Sequence, residues 1–145
     1  MEHFPDAKEY HIRAAVLRKR GEPLEIETLV MEGPRKDEVL VRIVATGICH
    51  TDIGICDEWD DAETPVVLGH EGAGVVEEVC RGVEHVTEGD AVPQVFIPKL
   101  IRLYQAGEFP FDRLEKFYPF KDINRAIADA KRGVAIKPVL RTSKA

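Results

Sequence analysis

Apolar positions along the first ninety residues either alternate with polar ones or run together in β-branched stretches, and short turns separate them. HIRAAVLRKR (11–20), the turn Gly21-Glu22-Pro23 and LEIETLV (24–30) predict strand, turn, strand, after a loose lead-in over residues 1–10. Leu24, Ile26 and Thr28 face one way there, Glu25 and Glu27 the other. Gly33-Pro34 makes a turn, and EVLVRIVATGI (38–48) is apolar and long enough for a central strand. The acidic run GICDEWDDAET (54–64) reads as a loop. TPVVLGHEGAGVVEEV resumes strand character around its glycines, and CRGVEHVTEGDAV adds a turn and a short strand. Up to about residue 93 this all-β layout predicts a barrel or sandwich.

The period then changes. Pro98 suits a first helical turn, KLIRLYQA follows with Leu100, Leu103 and Tyr104 on one face, and Gly107 closes it. FPFDRLEKFYPF (109–120) reads as a connector with aromatic packing anchors. DINRAIADAKRG (122–133) predicts a second helix with Ile123, Ala126, Ile127 and Ala130 as its apolar stripe. Asp122 lies near its start and Lys131 and Arg132 near its end, as the helix dipole favours, and Gly133 can terminate it. AIKPVLR is a last short strand, which Pro138 assigns to an edge.

Composition narrows the function classes. The chain has 145 residues, enough for one domain with a real core. Its net charge of -6 and lack of a basic block exclude nucleic acid as a partner. Its apolar runs are too short to span a membrane. MEHFPDAKEY lacks the layout of a signal peptide, and three loosely spaced cysteines argue against a disulfide framework, so the cytoplasm is the expected compartment.

The candidate chemistry lies in GICHTDIG (47–54) and GHEGAG (69–74). Zinc takes thiolate and imidazole, and Cys49 and His70 offer them. Asp52 and Glu71 add oxygen donors, in the metal shell or just behind it. Spacing alone leaves a second reading open: a cysteine as a small buried hydrophobe and a histidine as a turn residue. Cys56 and Cys80 read as inert, and His3, His11 and His85 as surface. The run DEWDDAE lacks the ligand spacing of a calcium loop and reads as solvated.

Several segments together resemble the zinc-dependent medium-chain alcohol dehydrogenases. They are GICHTDIGI, TPVVLGHEGAGVVEEV, VTEGDAV, and a tail, VFIPKLIRLYQAGEFPFDRLEKFYPFKDINRAIADAKRG with AIKPVLR, that is similar to aryl- or benzyl-type members. The resemblance covers roughly residues 10–141; Cys80 departs from the zinc signature, which prefers Gly or Ala there. It implies a mainly β fold with helices: a GroES-like β-barrel plus C-terminal helices and an edge strand. Residues 1–93 would form the barrel part and 94–145 the returning C-terminal segment of a single domain.

By the same resemblance Cys49, His70 and Glu71 are zinc ligands, Asp52 orients the ligating histidine, and Thr51 relays the alcohol proton. His50 matches a position that contacts the cofactor's pyrophosphate, and Trp59 falls in a region that lines the substrate pocket. The family's structural-zinc lobe, a further ligand cysteine and its Rossmann domain have no counterpart, and no GxGxxG follows a strand. The ends join within VTEGDAVPQVFIP. The expectation is an excised or engineered catalytic domain with a partial zinc site and little or no NAD-dependent activity, because NAD is not expected to bind. Its small-molecule partner would be an alcohol or aldehyde, and it would form a homo-oligomer through surface bared by the missing parts. The rival expectation is a metal-free, non-catalytic scaffold or interaction module.

Overall fold

A computed structural model describes residues 8–58, 63–92, 104–107 and 110–142. Trp59, the middle of the acidic run, His3 and most of the expected helix over 98–107 lie outside the described residues. Of that helix, Tyr104–Gly107 are described; Gly107 takes φ 77° and donates its N–H to the Tyr104 carbonyl, as a helix terminus requires.

Among the described residues, eight strands form two sheets. β1 (Glu9–Leu17) lies between β2 (Glu25–Glu32) and the short β4 (Val66–Val67), antiparallel to both. The second sheet has the order β6 (Ala91–Val92), β5 (Gly72–Val79), β3 (Val39–Gly47), β8 (Lys137–Arg141), β7 (Glu115–Pro119). Its pairs are antiparallel except β7 with β8, which run parallel. Among the described residues, the helices with both ends described are α1 (His50–Asp57) and α2 (Ile123–Lys131). None is long and apolar enough to cross a membrane among the described residues.

The core draws on both sheets and α2, and Thr28, expected to face the same way as Leu24 and Ile26, is exposed. Ala15 and Leu17 of β1, Leu140 of β8, Tyr118 of β7, and Ile123 and Ala126 of α2 pack with Leu24, Ile48, Cys56 and Ala135. Leu17 and Leu140 are essentially inaccessible, and each such side chain contributes about 1.5–3 kcal/mol of apolar burial. Asn124 ties α2 to the first sheet. Its side-chain oxygen accepts from the Leu24 N–H at 3.0 Å and its amide donates to the Leu24 carbonyl at 2.9 Å, completing the hydrogen bonding of a residue just before β2.

Four expectations are corrected. Glu9 and Tyr10 belong to β1 rather than to a lead-in. Residues 54–57 are the second half of α1, not loop. With Gly54 inside it and apolar side chains at 53, 55 and 56, HTDIGICD shows no clean helical stripe; what starts the helix is the Cys49–Asp52 cap described below. The connector FPFDRLEKFYPF contains β7, which forms only because β8 is there to pair with it. Pro138 is interior, not at an edge: β8 pairs with β3 on one side and β7 on the other, and β7 is the edge. The Pro138 carbonyl accepts from the Ile48 N–H at 3.1 Å, so the missing proline N–H falls on the side where β3 has ended at Gly47.

Candidate metal centre

Three strand ends meet at one corner of the larger sheet. β3 ends at Gly47 and β5 begins at Gly72, so the Gly47 N–H donates to the Glu71 carbonyl at 3.2 Å. β8 begins beside them at Lys137. The chain leaving β3 turns at once into α1, with Cys49 in extended conformation as its N-cap (φ -88°, ψ 154°). The helix start is fastened by Asp52, whose Oδ2 accepts from the Cys49 N–H at 3.1 Å, one half of a capping box.

The other oxygen of the same carboxylate reaches across to His70, with 3.3 Å from Oδ1 to Nδ1. This ion-pair contact is made by the Nδ1 edge of the ring, and Nε2 lies on the other edge. Asp52 is buried, whereas the His70 side chain is half exposed. One buried acid therefore fixes both the cysteine and the histidine. The donor atoms of Cys49, His70 and Glu71 all lie within 4.8 Å of one another. Sulfur, imidazole nitrogen and carboxylate oxygen converging so closely are donor types that zinc takes.

The electrostatics agree with that geometry. The Thr51 hydroxyl, 3.5 Å from the Cys49 sulfur, the Thr51 N–H and His70 hold the Cys49 thiol below its ordinary pKa, against the opposing Glu71 charge. His70 is pushed above the usual histidine value by Cys49 first and by Asp52 second. Thr51 and His50 are exposed on the first turn of α1. The structure thus brings Cys49, Thr51, Asp52, His70 and Glu71 together, and Trp59 lies outside the described residues.

Two participants escape a reading of the sequence. The Lys137 ammonium pairs with Oε2 of Glu71. The two are 66 positions apart, and only the β3–β8 pairing makes them neighbours. Gly47 is the second: a Cβ there would overlap the Glu71 carboxylate and come within 3.1 Å of the Lys137 Cε. The glycine leaves the space that this ion pair occupies.

Known proteins resemble the chain in the same region. The model of the alcohol dehydrogenase GroES-like domain matches residues 35–108. An NDMA-dependent alcohol dehydrogenase of Amycolatopsis methanolica is 49% identical over 86 residues, 59% of this chain and 23% of that protein. A class-3 alcohol dehydrogenase of Cereibacter sphaeroides is 50% identical over 88 residues, 60% of this chain and 23% of the relative. The matched part is thus about a quarter of each relative's length. Among solved structures, an alcohol dehydrogenase zinc-binding domain protein from Burkholderia ambifaria superposes with a TM-score of 0.88 at 19% identity, covering 94% of this chain and 100% of that one. Benzyl alcohol dehydrogenase from Acinetobacter calcoaceticus gives 0.85 at 17% identity, covering 92% and 100%. At those identities the structures show a shared fold.

Proposed function

The chain belongs to the alcohol dehydrogenase GroES-like domain family, and from that membership we propose that it is catalytic-domain sequence of a zinc-dependent alcohol dehydrogenase, retaining a partial zinc site. The observation that carries this reading is the convergence of the Cys49, His70 and Glu71 donor atoms within 4.8 Å, with Asp52 on the other nitrogen of the histidine. Cys49 Sγ, His70 Nε2 and a Glu71 oxygen would hold the ion. When bound, zinc supplies Lewis-acid polarisation of an alcohol or carbonyl oxygen. Asp52 would hold the ring by its Nδ1 edge and leave Nε2 for the ion. Thr51, exposed beside Cys49, would accept a proton from an alcohol and pass it to solvent.

Hydride transfer needs a nicotinamide ring held against the carbinol carbon, and positioning dominates such a step. The sequence carries no glycine-rich dinucleotide fingerprint. Negligible NAD-dependent turnover by this chain alone therefore belongs to the proposal. One observation favours the metal-free scaffold instead: Lys137 already neutralises Glu71, the third donor.

Zinc content per chain separates the two. The protein is dialysed against micromolar zinc and measured by mass spectrometry, alongside Cys49→Ala and His70→Ala. About one zinc per chain, lost in both variants, is the expected result. Zinc absent, or unchanged by the variants, would leave the scaffold reading. Turnover with NAD and small alcohols, comparable to that of whole dehydrogenases, would overturn the second half of the proposal.

A further inference from the structure

The two sheets and α2 do not meet along their whole length. A cavity of about 480 Å³ remains between β1, β3, β8, α2 and the segment 67–72. That volume falls within the range of small-ligand sites, about 300–1,000 Å³. It is also much larger than the voids that close-packed interiors leave. Its walls are mostly hydrocarbon, including Ile12, Leu24, Ile43, Leu68, Ile123 and Leu140. Of the three metal-centre ligands, only His70 touches it among the described residues.

The polar groups on the wall are largely committed elsewhere. Both Asp52 oxygens are taken, by the Cys49 N–H and by His70. The Thr46 hydroxyl donates to the Gly47 carbonyl and the Thr142 hydroxyl to the Ile43 carbonyl. Arg13 differs. On β1 it lines the cavity while itself exposed, which puts it at the rim. Its guanidinium lies 5.7 Å from the centroid of the Phe120 ring. Among the described residues no carboxylate pairs with it. An arginine fork on an aromatic face, at the mouth of an apolar cavity and without an anion, suits a carboxylate joined to a hydrocarbon body.

We propose that this cavity binds a small apolar monocarboxylate, its hydrocarbon between the sheets and its carboxylate on Arg13 at the rim. The inference is independent of the zinc reading, because Arg13 and the apolar walls need no metal.

Octanoate and the uncharged octan-1-ol, titrated into the whole chain by calorimetry, test it. Octanoate should bind the original protein. Arg13→Gln, at an exposed position, should weaken octanoate about tenfold or more, as loss of a charge-assisted hydrogen bond implies, and leave octan-1-ol unchanged. Leu68→Trp should fill the cavity and abolish both, with an unchanged circular dichroism spectrum; Ile127→Phe fills it from the helical wall if the first variant does not fold. Cys49→Ser should keep both ligands. Failure of octanoate to bind at millimolar concentration would overturn the proposal. So would indifference to Arg13→Gln, or to filling the cavity. Loss of octanoate in Cys49→Ser or on chelation would place the carboxylate on a metal and overturn it equally.

Discussion

Asp52 and Asp129 are the buried acids among the described residues, and the fold uses them in opposite ways. Asp129, on α2, accepts from the Tyr118 hydroxyl at 2.7 Å, from Arg132 at 2.6 Å and from Lys116 at 3.2 Å. Tyr118 and Lys116 belong to β7, so this carboxylate fastens the helix to the edge strand and its donors are used up in doing so. Asp52 has two partners, the Cys49 N–H and His70, and each of these residues carries a further donor atom: a sulfur and an imidazole nitrogen. A buried acid surrounded by satisfied groups holds structure. On the proposed reading, a buried acid behind donor atoms that converge with Glu71 is the support of a metal site.

The largest expected effect tests the structural half of that contrast. Asp129→Asn keeps the shape but turns an NH₂ toward Arg132 or Lys116, where a donor faces a donor. The melting midpoint should fall by several degrees or more, while zinc binding stays as it was. The hydrogen bonds from Tyr118 and Arg132 hold the Asp129 carboxyl well below the usual range. A group with a depressed folded pKa stabilises fully above its unfolded value, about pH 4, and loses that contribution as the pH falls toward the folded value. Thermal melts in acid should therefore fall steeply for the original chain and more gently for Asp129→Asn. If zinc left together with the stability, the two acids would not be separable and the comparison would fail.

Asp52→Asn tests the other half. The cysteine cap and the histidine would lose their shared anion, and zinc affinity should drop about 10–100-fold, the usual cost of removing the group behind a ligating histidine. The effect should appear in competition titrations against a chelator. Affinity unchanged within error would make Asp52 a plain helix cap, equivalent in kind to Asp129.

Legibility in the sequence follows the same divide. The β1–β2 pair, the central β3 and α2 were readable because each carries its own period and its own punctuation: Gly21 between the strands, Asp122 and Gly133 around the helix. Cys49, Asp52, His70 and Glu71 stood out as donors in two short motifs, but spacing left a non-metal reading open, and their grouping as ligands came from the family resemblance. Elements that depend on distant partners were not readable. β7 looks like a connector until β8 lies beside it, and Pro138 looks like an edge residue until β3 is seen to end opposite. α1 has no stripe and is set by its cap. Lys137 carried no local signal, since only strand pairing brings it to Glu71.

That last residue gives the smallest effect and the finest test. Lys137→Met keeps the apolar stem and removes the charge. Two consequences should act in one direction. The Glu71 carboxylate would be free to turn both oxygens toward the ion position, and a positive charge beside that position would be gone. The pair is partly exposed, with 39% of the lysine and 29% of the glutamate side chain accessible, so its worth is limited to about 1 kcal/mol or less. Zinc should therefore bind a few-fold more tightly in Lys137→Met, and the gain should shrink as salt is raised. Weaker binding would show instead that the ammonium holds Glu71 where the metal needs it. The lysine would then belong to the site's supporting frame with Asp52, and Gly47→Ala, which crowds the same carboxylate, should weaken zinc alongside it.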